Sequence, residues 1–334
     1  MKQLVSATLL ILLVIYGCTS QHAKKVATPV KIIFDSDFGP DYDDVGALAF
    51  LHAVSDSGRA EILATVSSNR YELSAPSMDV INTYFGRPGL QTGAPKNHGV
   101  NMAPPQHWTD SITANYPHSI KSTDEVPDAV TTYRKILSSQ PDSSVTIVTV
   151  GFLTNISDLL KSQPDDISSL SGHELVSRKV KRLVSMAGKF QEGKEFNVYM
   201  DSVSSEYAFN NWPGEIIFSG FEIGNDILTG LRLTKSEIKN NPVKDVFRIS
   251  MTFSENDRNG RMSWDETAVL IGVYGTNGFF DTVSGKIIVN KDGSNSWEYD
   301  SQSKQKYVVR RVPASLISNF IEDRMMHIPF RKVK

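Results

Sequence analysis

Five carboxylates fall within ten residues at Asp35-Ser-Asp37-Phe-Gly39-Pro-Asp41-Tyr-Asp43-Asp44. Acids packed this closely repel one another unless a cation or protons compensate. Oxygen donors with no His or Cys among them suit a hard ion, Ca²⁺ or Mg²⁺. The spacing is not that of an EF-hand loop, which runs Asp-x-Asp-x-Asp-Gly and ends on a Glu. A carboxylate beside such an ion can take a proton from water, and several together stabilise a developing positive charge. A solvated acidic turn that merely caps a helix is the plain alternative, and the strand–glycine–helix setting weighs against it.

That setting is read from the flanking residues. The apolar run at residues 30–34 predicts a buried strand ending at the acids. The two-residue period of a strand sends Asp35 and Asp37 to the same side. Gly39 permits a tight turn or a close backbone approach. Residues 43–54 carry Val45, Leu48, Ala49 and Phe50 at helical spacing. Asp43 and Asp44 then occupy the first turn, where the helix dipole favours acids.

The alternation continues, with strands expected at residues 60–66, 144–150, 181–187 and 215–219. Helices are expected at residues 77–85, 153–161, 202–212 and 262–274. The fold class is therefore α/β, a mostly parallel sheet with helices on both faces. Ligands of such sheets bind beyond the carboxyl ends of the strands, where the acidic stretch lies. Residues 286–309 read as two or three strands around Lys291-Asp292-Gly293, a small β-hairpin near the C-terminus. Residues 313–326 close with a helix. Residues 29–334 hold no Pro/Ser linker or internal repeat and read as one domain.

The chain of 334 residues is 40% hydrophobic and 22% charged with a formal net charge of −2, an ordinary globular composition. It shows no basic stripe, which argues against a nucleic-acid partner. Residues 4–16 form a mostly apolar run behind Lys2, the length of a signal-peptide core and short for a membrane span. Ile15-Tyr16-Gly17-Cys18 follows and resembles a bacterial lipobox. The resemblance implies a lipoprotein signal peptide over residues 1–17, acylation of Cys18 and a tether over residues 18–28. The protein would be exported and lipid-anchored to a bacterial cell-envelope membrane. Cys18 is the only cysteine, so no internal disulfide competes for it. A plain secretory leader is the alternative.

Further motifs follow the acidic stretch in order: Ser68-Asn69, Val150-Gly-Phe-Leu-Thr154-Asn155, Val184-Ser-Met186-Ala-Gly188, Glu195-Phe-Asn197 and Trp264-Asp265-Glu-Thr-Ala-Val269. Together with Asp35, Asp37, Gly39, Asp43 and Asp44 they resemble the inosine–uridine preferring nucleoside hydrolase family over residues 30–330. The acidic motif here is two residues longer between Gly39 and Asp43. The resemblance implies a nucleoside hydrolase-like, Rossmann-like fold, and Ca²⁺-dependent hydrolysis of a ribonucleoside's N-glycosidic bond to ribose and free base.

By the same resemblance Asp37 is the general base. Asp37, Asp44, Asp265 and the Thr154 carbonyl hold the ion. Asp43, Asn69, Met186, Glu195 and Asn197 contact the sugar. Asp35 buttresses the loop, and Asp41 receives no role. Trp264 stands where many members carry a His that can donate a proton to the leaving base. Trp cannot protonate a purine, but it can stack on one. His98, His107 and His118 sit in the polar stretch at residues 97–125, which reads as a loop over a pocket. The missing His keeps a second reading open, a surface lipoprotein that captures nucleosides or sugars without cleaving them. A homo-oligomer is also left open.

Overall fold

A computed structural model describes residues 28–329 of the protein. The expected signal peptide, the Cys18 anchor and all of the tether but Thr28 lie outside them. In the first half, strands β1 (Val30–Ser36), β2 (Ala60–Ser67), β3 (Gln91–Gly93) and β4 (Val145–Thr149) alternate with helices. These are α1 (Asp43–Asp56), α2 (Ser74–Tyr84), α3 (Trp108–Asn115), α4 (Ala129–Ser139) and α5 (Thr154–Lys161). Then come α6 (Gly172–Lys179), β5 (Val180–Met186), β6 (Gly193–Lys194), α7 (Phe196–Met200), α8 (Ser202–Asn211), β7 (Glu215–Ser219) and α9 (Phe221–Gly224). The last part holds β8 (Leu228–Thr229), α10 (Leu231–Lys235), α11 (Pro242–Ser250), β9 (Arg261–Met262) and α12 (Trp264–Tyr274). Strands β10 (Phe280–Val289), β11 (Ser294–Tyr299) and β12 (Gln305–Arg310) precede the final helix α13 (Ala314–Met325).

Ten strands form one sheet in the order β3-β2-β1-β4-β5-β7-β12-β10-β11-β6. Neighbours from β3 to β12 run parallel, and β10, β11 and β6 continue the sheet antiparallel. The expected C-terminal hairpin is thus the outer part of the main sheet, not an appendage, because β12 returns beside β7.

Side chains alternate between two cores, as the strand period requires. On β1, Ile32 and Phe34 enter the core under α1, α12 and α13, while Ile33 enters the one under α4, α5 and α8. Strand β4 divides likewise, with Val148 in the first core and Val145 and Ile147 in the second. Each such fully buried aliphatic side chain contributes about 1.5–3 kcal/mol. Burial on both faces is why these strands read as unbroken apolar runs.

The connection β2-β1-β4 makes the sheet change direction at β1. The crevice between β1 and β4 at their carboxyl ends is the switch point where open α/β sheets bind ligands.

The stretch at residues 97–125 is not all loop. It contains α3, whose Trp108 is fully buried and meets Phe38 edge-on at 5.6 Å. The few apolar residues among polar neighbours give a weak helical period, yet Trp108 and Ile112 are both fully buried and anchor the segment.

Candidate active site

Three chain segments bring the acids together. Strand β1 ends at Ser36, the loop 37–42 turns back, and α1 starts at Asp43. Strand β4 ends beside it, and the Val150 amide donates to the Asp35 carbonyl at 2.8 Å. Helix α12 presents Trp264 and Asp265 from its first turn. The result is a cavity of about 510 Å³ whose acidic wall is Asp37, Asp41, Asp43, Asp44 and Asp265. A larger cleft of about 960 Å³, lined in part by Tyr84, Tyr116 and Lys239, shares none of these residues.

Two glycines allow the segments to approach. A Cβ on Gly151 would lie 2.3 Å from the Asp37 amide nitrogen, so the turn after β4 can press on the Asp37 segment only without a side chain. A Cβ on Gly39 would lie 2.6 Å from Asn69 Nδ2, so the expected close approach is the reason for this glycine.

Asp37, Asp43, Asp44 and Asp265 are almost fully buried, whereas Asp41 is partly exposed. Burial, and next the negative Asp44, push Asp37 well above the usual carboxylate range. Burial likewise raises Asp43 to about 7 against the opposing Arg261 charge. It raises Asp44 to about 6, partly offset by the Ser36 hydroxyl. Asp265 is pushed well up by burial and then by Asp43. The Ser36 hydroxyl donates to Asp44 Oδ1 at 2.5 Å, while Asp44 Oδ2 is buried with no hydrogen-bond partner. The carboxylate oxygens of Asp43, Asp44 and Asp265 lie within 4.8 Å of one another. Like charges this close in a buried place call for a cation.

Asp43 already has one. Arg261, on β9, donates from Nη2 to Asp43 Oδ1 at 2.9 Å, and Asp43 Oδ2 accepts from the Asp265 amide at 3.3 Å. Arg261 also forms an ion pair with Asp41. Its guanidinium lies 4.8 Å from the Tyr42 ring centroid and 5.0 Å from that of Trp264. Asp37, Asp44 and Asp265 have no such partner among the described residues. The donor set fits a hard divalent ion: carboxylates, an orphaned Asp44 oxygen, and a backbone carbonyl at the end of β4.

That carbonyl is Val150's. Val150 lines the cavity, and its oxygen accepts from Asn197 Nδ2 at 3.0 Å. Thr154, expected to supply the carbonyl, does not line the cavity. It is the first residue of α5, and helical carbonyls point along the axis towards the C-terminus, here away from the strand ends. Its hydroxyl donates to Asp201 at 2.7 Å.

The opposite wall is formed by Met186, Glu195 and Asn197, with Phe196 and Tyr199 at its edge. Asn197 Nδ2 reaches the Met186 carbonyl at 3.2 Å. Glu195 caps α7, accepting the Asn197 amide on Oε1 at 2.8 Å and the Gly188 and Val198 amides on Oε2, each at 3.1 Å. Its carboxylate therefore shapes the wall as well as facing the cavity.

Asn69 departs from expectation. It lies outside the cavity lining, and its amide is bonded at both ends to Met102, donating at 2.8 Å and accepting at 3.0 Å. It ties Met102 and Tyr71 to the end of β2.

Asp35 and Asp37 do not share a side, because β1 ends at Ser36 and its alternation does not continue into the loop that Asp37 opens. Asp35 points into the α4–α5 face, accepting from Tyr133 at 2.8 Å and Asn155 at 3.0 Å, a buttress as expected. No histidine is among the residues lining the cavity. His98 pairs with Asp158 at 3.0 Å, and His118 Nδ1 donates to the Tyr116 carbonyl at 2.9 Å. Trp264 does line the cavity, 5.4 Å from the Phe221 ring, with its indole N–H donating to the Phe221 carbonyl at 2.8 Å.

The residues missed by sequence reasoning are Arg261, Val150 and Phe221, together with the role of Asp41. The one available signal was the paired oddity of two extra loop residues and an arginine three positions before Trp264. Glu266 was missed too. It is fully buried with neither carboxylate oxygen partnered, and burial and Asp43 hold its pKa well above the usual range.

The model of the inosine-uridine preferring nucleoside hydrolase family matches residues 32–312. An inosine-uridine preferring nucleoside hydrolase of Leishmania major is 27% identical over 192 residues, 54% of this chain and 57% of the relative, so the match spans little more than half that protein's length. One from Crithidia fasciculata is 24% identical over 234 residues, 66% of this chain and 70% of the relative. In fold, the chain is similar to the purine-preferring ribonucleoside hydrolase of Gardnerella vaginalis, with a TM-score of 0.70 at 16% identity over 89% of this chain and 98% of the other.

Proposed function

The chain belongs to the inosine-uridine preferring nucleoside hydrolase family, and from that premise we propose that it is an N-glycosyl hydrolase that uses Ca²⁺ to cleave ribonucleosides, or related N-ribosides, into ribose and free base. The observation that carries this reading is the meeting of Asp37, Asp44, Asp265 and Val150 in one cavity with Asn197, Glu195 and Met186.

Asp37, Asp44, Asp265 and the Val150 carbonyl would hold the ion. Bound there, Ca²⁺ would supply Lewis acidity that lowers a water's pKa and an anchor for vicinal sugar hydroxyls. Of the four buried acids Asp37, Asp43, Asp44 and Asp265, Asp43 is the one paired with a protein cation, Arg261, so we assign it to the sugar and not to the metal. Asn197 and Asp43 hold ring hydroxyls, Met186 lies against the ribose, and Glu195 faces its 5′ side.

Breaking the glycosidic bond places positive charge on the ribosyl ring, and the carboxylates around it stabilise that charge. Asp37 takes the proton of the attacking water; its raised affinity for protons suits a general base. Trp264 and Phe221 offer flat apolar faces to a base.

The test is turnover of inosine, uridine and p-nitrophenyl riboside by purified protein with Ca²⁺. Absence of turnover on every riboside would refute it and leave nucleoside capture without cleavage. The lipobox adds a proposal of its own, a protein anchored through acylated Cys18. Labelling with a radioactive fatty acid, lost in Cys18→Ala, tests it.

A further inference from the structure

We infer that Arg261 is a catalytic residue that hydrogen-bonds the departing base and stabilises the negative charge it takes up, in place of a proton-donating side chain. This rests on the hydrolase reading above and assigns the part of the reaction that reading leaves without a residue.

The cavity lacks a histidine, and the Trp264 indole N–H is committed to the Phe221 carbonyl at 2.8 Å, so neither can serve the leaving group. Two cations line the cavity, Lys194 and Arg261. The Lys194 side chain is 48% exposed and lies 3.7 Å from Asp292 and 4.6 Å from the Tyr199 ring, at the rim. Arg261 is 9% exposed and sits beside the Trp264 face. Asp43 takes Nη2 and Nε, and Asp41 pairs with Nη2. Nη1 is 3.7 Å from Asp257, beyond hydrogen-bond reach, and keeps its donor capacity. The residue is held by two acids, Asp41 and Asp43, and flanked by the Tyr42 and Trp264 rings. Such a preorganised donor stabilises developing charge without moving.

Arginine stays protonated, so it contributes a hydrogen bond and not a proton. The C1′–N bond breaks with its electron pair on the base, and the water oxygen bonds to C1′. The water's proton passes to Asp37, and the base anion, held by Arg261 until it leaves, takes a proton from solvent. Asp37 returns its own proton to solvent.

The experiment compares kcat on a nucleoside with kcat on p-nitrophenyl riboside, whose phenolate leaves unaided, in the full chain with Ca²⁺. Arg261→Gln is expected to lower nucleoside kcat on the order of 10²–10³-fold, the range for losing one such donor, and to change p-nitrophenyl riboside only a few-fold. Arg261→Lys keeps the charge beside Asp41 and Asp43 and loses the planar donor edge, so it serves if the Gln variant does not fold. Its calcium affinity by calorimetry reports an intact site, and its rates on substituted phenyl ribosides should depend more steeply on phenol acidity. Equal losses on both substrates, or an unchanged slope, overturn the role of Arg261 alone. A wild-type protein that turns over neither substrate overturns the hydrolase reading and this inference with it.

Discussion

The Ser36 hydroxyl donates to Asp44 Oδ1 at 2.5 Å, across the turn that joins β1 to α1, and leaves Asp44 Oδ2 buried without a partner. Ser36 faces this way because it alternates with Asp35 on β1. The hydrogen bond orients the carboxylate and favours its charged form, as partners behind a metal ligand do. Calorimetric titration with Ca²⁺ should find no binding to Asp44→Ala. Ser36→Ala should weaken binding about 10–100-fold. Wild-type affinity in Asp44→Ala would remove Asp44 from the ion's ligands, and in Ser36→Ala it would remove the supporting role of Ser36.

Asp37 is the acid at the strand end with no cationic partner, and its proton affinity is raised by burial and by Asp44. Asp37→Asn keeps the shape and removes the base. Steady-state kinetics at saturating Ca²⁺ should show kcat reduced by about 10²–10⁴-fold. A variant within a few-fold of wild type would show that another group takes the proton.

Much of this was legible in the chain itself. The acidic stretch, β1 and α1 could be read because burial on both faces gives continuous apolar runs and the acids mark the helix start. The order of strands and helices followed from the same contrast. Helices α4, α6 and α11 were not read from the sequence, although α11 carries a helix signal of its own: Asn241 as cap, Pro242 at the first position, and Val243, Val246 and Phe247 at helical spacing. In the site, Asp35, Asp37, Asp43, Asp44, Asp265, Glu195 and Asn197 were found from type and order. Side-chain motifs can do that. Val150 was not, because a backbone carbonyl leaves no trace in residue type, and its direction depends on whether the residue ends a strand or starts a helix. Arg261 was hidden for another reason: its partners Asp41 and Asp43 lie more than 200 positions away, and only the fold closes the distance.

Calcium affinity should fall as the solution is acidified through about 6, the value to which burial raises the ligand Asp44; burial raises Asp37 and Asp265 as well. Protonated carboxyls must lose their protons before a cation can bind. Titrations at pH 7.5 and 5.5 should show weaker binding at the lower pH. Those in buffers of different ionisation enthalpy should show proton release. Affinity independent of pH would mean that the acids are already ionised in the empty site.

Asp35 offers a separate test, because it touches the cavity only through the loop it supports. Burial raises it to about 7 from 3.8, outweighing the hydrogen bonds from Asn155 and Tyr133. Between those values the folded protein keeps a proton that the unfolded chain has lost. The unfolded state binds fewer protons there, so stability from this group falls as pH rises across that window and is level above it. One proton corresponds to a slope of about 1.4 kcal/mol per pH unit. Asp35→Asn removes the ionisation and keeps an acceptor for Tyr133. Urea denaturation in the presence of chelator, at pH 4.0, 5.5 and 7.5, should therefore show the variant gaining on wild type as pH rises. Asp43 and Asp44 titrate in both proteins and cancel in the difference. Parallel curves would show that Asp35 is ionised in the folded state, and the support it gives through Tyr133 and Asn155 would then be that of a charged carboxylate.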